Sequence, residues 1–444
     1  MKLDDALLAE WEKTVARKGE AAAILDTQGE VLRTFNDIER QARSLEAQID
    51  GCSPGQVHAI DIGNHPDWPS LLLACLRRQV VVLPLDESLT ADQREAARQI
   101  CAGKASANWG EHPPVLLKLT SGTTATPRAI RFRSEQLLAD CRQICETMGI
   151  TDRDLNFAVI PLSHSYGLSN LLTPLLVFGV PMVLSRDRMP RAVLDDLART
   201  GATVFPGMPV FYQAFSEMAD VPALPQLRLC ISAGAPLPLE VARKFRQKFN
   251  QPIHSFYGSS ECGGICYDRD ALLLEPGFVG QPMCGVDLDL LEPDASESRL
   301  RVRSAAVGDG YFPEPDEEKL GHGRFAPDDL LSASGDGFRI VGRISDVINV
   351  AGKKVNPAEV EAELLRFDGV RAAVVFGRQS VLRNEEVAAC VVAEERVRES
   401  DLLEHCRERL SGWQVPKRIF FVTEIPANER GKVNRRELAT RFAS

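Results

Sequence analysis

The sequence predicts an α/β protein with a large N-terminal domain of helix-covered, mostly parallel sheets and a small, mobile α+β C-terminal domain. Three observations lead there. The chain has 444 residues, beyond the roughly 250–300 at which a single hydrophobic core stops growing, so two or more domains are expected. Through the first three quarters, short apolar runs alternate with stretches of helical apolar spacing, the pattern of parallel strands covered by helices. After about residue 343 the texture changes to that of a compact α+β unit. The expected division is therefore 1–343 and 344–444, with a hinge near Gly342–Asp346 after the Gly- and Asp-rich stretch Ser332–Gly337.

The elements follow in chain order. Phe35–Ile49 places Ile38, Ala42, Leu45 and Ile49 on one helical face. Val57–Ile62 reads as a strand, Trp68–Leu76 as a helix and Val80–Leu83 as a buried strand ending at Pro84. Val115–Leu117, Ala129–Phe132, Leu155–Ile160, Pro181–Leu184, Thr203–Phe205 and Arg228–Ser232 are further core strands. In the C-terminal region, Asn356 is placed to cap a helix with Pro357 at its first position, running to about Phe367. Val370–Phe376 and Val387–Ala393 are strand-like, Ser400 is expected to cap a helix over Asp401–Leu410, and Arg418–Val422 adds a strand.

Composition narrows the function. Hydrophobic residues at 44% and charged residues at 26% exclude a disordered or fibrous chain. The 52 Lys and Arg against 62 Asp and Glu leave a net charge of −10. Such a chain is ill suited to coat a nucleic acid or an anionic membrane, though a few local cations suffice for a small anionic ligand. Eleven cysteines without CxxC spacing read as reduced, buried thiols. The acidic start lacks a signal-peptide core, and the apolar stretches Leu71–Leu76 and Leu171–Leu184 are interrupted short of the roughly 20 residues of a membrane helix. A cytoplasmic protein without a membrane span is expected; its oligomeric state is not written in the sequence.

The segment Thr120–Arg128 (Thr-Ser-Gly-Thr-Thr-Ala-Thr-Pro-Arg) packs hydroxyls, one glycine and one arginine between two strands. Such a loop can turn N–H groups and hydroxyls toward a polyphosphate, with Arg128 supplying charge; read alone, it is equally a polar turn. It is not a Walker A loop. Ser255–Glu261 places an acidic residue beside hydroxyls and Tyr257, a combination able to bind Mg²⁺ and pack on a ring, or equally a strand end with a solvated Glu.

Together these segments resemble two core motifs of the adenylate-forming superfamily, the acyl- and aryl-CoA synthetases, adenylation domains and beetle luciferases. Further resemblances follow in the family's order: Pro161–Leu168, Ser232–Pro238, Asp329 within Phe325–Leu330, Gly342–Asp346 continuing through Val350–Glu361, and Pro426–Arg435. The resemblance spans about Thr34 to Leu438.

It implies an ATP-dependent ligase acting through acyl-AMP. Thr120, Ser121, Gly122, Thr123, Thr124 and Arg128 would hold the leaving phosphates, and Ser260 and Glu261 the α-phosphate and Mg²⁺. Gly234, Ala235 and Pro236 would face adenine opposite Tyr257, next to Gly258. Asp329 and Arg343 would reach the ribose. Lys432 would bridge carboxylate and α-phosphate, although beside Arg430, Arg435 and Arg436 it also reads as one solvated cation in a basic tail. His164 would gate the carboxylate end, Ser345 would be the hinge, and Gly352 would lie on the path of the thiol; Lys353, Lys354, Arg378 and Arg383 could hold the nucleotide phosphates of coenzyme A, or equally be surface charge.

The sequence departs from the family pattern at Ala125, Arg128, Pro327 and Ser345. Arg128 keeps the charge but forks differently from the usual lysine. The acid pocket is expected among Phe205, Met208, Tyr212, Gly263 and Gly264, apolar and suited to an aryl or medium-length acyl tail. Pro161–Leu168 carries no carboxylate to pair with a substrate ammonium, which disfavours an amino acid. The expected acceptor is coenzyme A, with the phosphopantetheine of an acyl carrier protein as the alternative and a degenerate, non-catalytic relative as a further one.

Overall fold

The computed structural model describes residues 5–49, 51–87, 89, 91–102, 109, 112–120, 128–293, 295, 297–350, 353–380, 384–426 and 433–442. The chain folds into two compact units, one of Met1–Asp289, Arg301–Ala326 and Ser334–Phe338, the other of Leu290–Leu300, Pro327–Ala333 and Arg339–Ser444. The chain leaves the first unit and returns to it twice before residue 339, a path that one division after 343 does not describe.

At the centre of the first unit, Leu229–Ser232 lies between Val204–Gly207 and Ile253–Ser259, parallel to both. Asn156–Ala158, Met182–Leu184 and Ala22–Leu25 extend the sheet in parallel. Antiparallel strands border this run, Gly263–Tyr267 on one side and Val31–Thr34 on the other. The central strands are buried residue after residue, as in Val204–Gly207 and Leu229–Ser232. Covered on both faces, they carry unbroken apolar runs instead of an alternation. A second sheet runs in the order Gly310–Phe312, Ala129–Phe132, Leu116–Leu119, Val81–Pro84, Val57–Ile60.

The helix Phe35–Gln48 forms where its apolar spacing predicts. Thr34 accepts from the Asp37 N–H while the Asp37 carboxylate reaches back to the Thr34 N–H, closing a capping box. Its buried residues are Phe35, Ile38, Ala42 and Leu45. The helix Ser134–Met148 is less legible because its buried positions include Gln136, Asp140 and Gln143.

In the second unit the strand order is Lys353–Val355, Ile348–Val350, Asn384–Ala393, Val370–Ser380, with Arg418–Phe421 parallel beside Asn384–Ala393. Successive residues of the longest strand feed opposite faces. Val375 packs with Val360, Leu364, Leu402 and Cys406, whereas Val374 and Phe376 pack with Cys390 and Leu438. Asn356 caps Pro357–Leu365 as expected, accepting from the Ala358 N–H at 3.2 Å. Ser400 does not cap: the helix spans Glu399–Arg409 with Arg398 at its cap, and the Ser400 hydroxyl donates to Asp401 Oδ1 at 2.9 Å. Ser400 is the second residue of the helix, past the cap position, so its oxygen does not face the free N–H groups as a cap does. Among the described residues the cysteines are free, and no helix is long and apolar enough to cross a membrane.

Candidate active site

Ligands of open α/β sheets bind beyond the C-terminal ends of parallel strands. Three neighbouring parallel strands end here at Gly207, Ser232 and Ser259. The residues that follow them, Met208, Ala233–Pro236 and Ser260–Glu261, include six of the expected site residues: Met208, Gly234, Ala235, Pro236, Ser260 and Glu261.

The phosphate-loop candidate joins the adjacent antiparallel strands Leu116–Leu119 and Ala129–Phe132. The Thr120 N–H donates to the Arg128 carbonyl at 2.9 Å and closes the base of that connection. Ser121, Gly122, Thr123, Thr124 and Ala125 lie outside the described residues. The Arg128 guanidinium sits 4.1 Å from the Tyr311 ring centroid and donates to the Glu314 carbonyl at 3.1 Å. Its buried Nε has no hydrogen-bond partner among the described residues.

Tyr311 links this arginine to the acidic residue. Its hydroxyl donates to Glu261 Oε1 at 3.0 Å, and the Ser259 hydroxyl donates to Glu261 Oε2. The Glu261 N–H donates back to Ser259 Oγ at 3.3 Å. Burial and the Glu261 charge hold the Tyr311 phenol well above its usual range, so it remains a donor. A carboxylate oriented by two hydroxyls fits Mg²⁺, which binds through one or two carboxylates together with substrate phosphates. No cluster of three or more ligating side chains occurs among the described residues, so the metal would depend on Glu261 and the phosphates themselves.

Gly234 has φ +87°, and the space a side chain would fill there is open. Gly234 and Pro236 are exposed and Ala235 is half-buried, while Tyr257 is buried on its strand and leads to Gly258. The Ser232 hydroxyl, buried below the loop, has no partner among the described residues. A slim, exposed loop with positive φ suits close approach of a flat base. His164 precedes the turn Ser165–Gly167, and its Nδ1 accepts from the Tyr166 N–H at 3.2 Å.

Asp329 and Arg343, fourteen residues apart, come together in the second unit. The Arg343 Nε donates to Asp329 Oδ1 at 2.6 Å, with Asp329 buried and Arg343 exposed. Lys353 and Lys354 are exposed there, with the Lys353 ammonium 5.0 Å from the Trp413 ring centroid. Gly352, Lys432 and the Ser345 side chain lie outside the described residues.

Two expectations about the acid pocket change. Phe205 and Tyr212 do not line an accessible surface; both are 0% exposed. They pack edge to face, and the Tyr212 hydroxyl donates to the Phe205 and Ile231 carbonyls. Their apolar area goes to the aromatic cluster behind the strand ends, leaving half-buried Met208 at the border. Gly263 and Gly264 do not leave room for a tail. A Cβ on Gly263 would lie 1.9 Å from Asp140 Oδ1, and one on Gly264 would lie 2.4 Å from Met283 Sδ. These glycines admit the protein's own side chains.

Sequence reasoning did not single out Tyr311, Asp140 or Lys118. The signal for Lys118 was present: one lysine inside an otherwise apolar buried strand.

Residues 94–312 match the family of AMP-binding enzymes, and residues 359–432 match the AMP-binding enzyme C-terminal domain. The feruloyl-CoA synthase of an Amycolatopsis species is 28% identical over 98% of this chain and 99% of its own. The 3,4-dihydroxybenzoate–[aryl-carrier protein] ligase of Bacillus anthracis is 29% identical over 74% of this chain and 75% of its own. The ATP-bound MatB of Rhodopseudomonas palustris shares the fold, with a TM-score of 0.86 over 99% of both chains at 22% identity. The chain belongs to the adenylate-forming superfamily of AMP-binding enzymes. Within it, the chain is an AMP-forming acid–thiol ligase.

Proposed function

We propose that the protein uses MgATP to activate a carboxylic acid with an aryl or medium-length acyl body and passes the acyl group to the thiol of coenzyme A. The observation that carries this reading is the chain of contacts Arg128–Tyr311–Glu261, which aims a cation and an oriented carboxylate at one strand-end region.

In the first half-reaction a carboxylate oxygen attacks the α-phosphorus, and the bond to the bridging oxygen of pyrophosphate breaks. Anion meets anion, so the protein's task is placing positive charge and holding geometry. Mg²⁺, when bound, supplies neutralising charge. Thr120–Arg128 holds the leaving pyrophosphate, Ser260 the α-phosphate, and His164 the carboxylate end. Gly234–Pro236 and Tyr257 flank adenine, and Asp329 with Arg343 takes the ribose. Lys432 spans carboxylate and α-phosphate; one such preorganised donor contributes about 3 kcal/mol, or a hundredfold or more in rate.

In the second half-reaction the part of the chain after Ser345 turns, and a thiol reaches the acyl carbon past Gly352. A carbon–sulfur bond forms, the bond to AMP breaks, and the thiol proton leaves to solvent. Lys353 and Lys354 offer charge for the nucleotide end of coenzyme A. The aryl-carrier-protein relative supports a second acceptor, the phosphopantetheine thiol of a carrier protein. A pyrophosphate-release screen over aryl and aliphatic acids, with and without coenzyme A, tests the reading. Calorimetric silence toward MgATP, together with no pyrophosphate from any acid, would overturn it.

A further inference from the structure

Among the described residues, the buried Lys118 has no counter-ion in contact. Its side chain projects from the strand Leu116–Leu119, and the residue is 5% exposed. Among the described residues its ammonium makes one hydrogen bond, to the neutral Ser165 Oγ at 3.3 Å, and lies 4.3 Å from the Phe132 ring centroid. The Asp140 and Glu261 carboxylates act on it through space, yet neither reaches ion-pair distance. Each has other partners: Asp140 Oδ1 accepts from the Gly264 N–H at 3.1 Å, and Glu261 accepts from Tyr311 and Ser259. Burial pulls the lysine below its usual range, so an uncompensated charge at this position is unfavourable.

The location gives this meaning. Ser165 follows His164 in the segment assigned to the substrate carboxylate, and Asp140 holds the Gly263–Gly264 strand start. The ammonium therefore lies beside the segment expected to meet the substrate carboxylate. Lysine is a compact point charge suited to one oxyanion.

We propose that Lys118 is a specificity-determining residue that pairs with a second anionic group, a carboxylate or a sulfonate, on the acid being activated. This rests on the acid-activation reading above. A substrate that brings its own anion supplies the missing partner and is selected over its monoanionic counterpart.

The test uses matched acids and the full chain: benzoate against isophthalate and 3-sulfobenzoate, hexanoate against adipate, each scored by pyrophosphate release. Wild type should prefer the dianionic member of at least one pair by tenfold or more in kcat/KM; the separate carboxylate and sulfonate arms identify the group. Lys118→Met and Lys118→Gln should lose about ten- to a hundredfold on that substrate, the usual scale for a hydrogen bond to a charged group. Both variants should keep the wild-type rate on its monoanionic partner. An equal loss on both members, or none on either, overturns the proposal. If neither variant folds, the wild-type panel decides, and a preference ratio near one in every pair overturns it. Turnover of monoanions without preference removes only the role of Lys118, whereas no turnover of any acid removes the acid-activation reading as well.

Discussion

Replacing Tyr311 by Phe separates two things that one side chain does. The ring stays, so Arg128 keeps the surface it sits over at 4.1 Å. The hydroxyl goes, so Glu261 loses a donor at 3.0 Å and retains only the Ser259 hydroxyl of the two side-chain donors described. A hydrogen bond to a charged group contributes about 1.5–3 kcal/mol. Glu261 is half-buried, which favours the lower end, about 1.5 kcal/mol, or roughly tenfold in affinity. Tyr311→Leu also removes the ring, and with it a cation–π contact of about 0.5–2 kcal/mol, so its loss should be several-fold larger again. Calorimetric titration of each variant with MgATP, without any acid, reads both steps independently of the substrate. Thermal melting beforehand controls for folding. Wild-type affinity in Tyr311→Phe, or equal affinities in the Phe and Leu variants, would refute the assignment of the hydroxyl to Glu261 and of the ring to Arg128.

Three further outcomes are expected. Lys432→Ala should slow adenylation by a hundredfold or more while sparing thioester formation from supplied acyl-AMP; equal loss in both half-reactions would remove the residue from the first step. Gly263→Ala should destabilise by roughly 2 kcal/mol or more, since φ is +70° and the new Cβ would lie 1.9 Å from Asp140 Oδ1; an unchanged melting temperature would contradict that packing. Burial pushes the Asp154 carboxyl up, but the Arg228 guanidinium at 2.6 Å, the Thr151 N–H and the Thr203 hydroxyl outweigh it and hold it below the ordinary 3.8. A lowered carboxyl stabilises the fold above its unfolded value, and that contribution fades as pH falls through the folded one. Arg228→Met should therefore destabilise at neutral pH by about 1–2 kcal/mol, allowing for the exposure of Arg228, with the gap narrowing below about pH 3.8; melting curves that keep a constant gap would count against this.

The parts of the fold legible in the sequence are those where burial is complete or a cap is explicit. Leu229–Ser232 is visible because it is buried throughout, and Phe35–Gln48 because its stripe is unbroken. Ser298–Ser304 escapes because it is covered on one face, so Arg299, Arg301 and Arg303 alternate with Leu300 and Val302. Motif order singled out Glu261 and the pair Asp329–Arg343, and the fold brings that pair into contact from different strands. Tyr311 escaped because its partner lies 50 residues away, in the turn between Ile253–Ser259 and Gly263–Tyr267, which no local pattern links to it. The pocket walls were misjudged for a related reason: a glycine in the sequence does not say whether its vacant side is open or, as at Gly263, already taken by Asp140.

One guanidinium in the second unit sets a limit on reach. Arg435 donates to the Val375 carbonyl at 2.9 Å, to Asp346 Oδ2 at 2.7 Å and to Glu361 Oε1 at 2.8 Å, fastening the C-terminal helix to a strand, a second helix and the turn at Ile344–Asp346. Lys432 lies three residues upstream. Three residues of fully stretched chain span at most about 10–11 Å, so chain connectivity alone keeps the Lys432 backbone within that distance of the Arg435 backbone. In the proposed mechanism, that tether bounds the region in which an acid presents its carboxylate to Lys432.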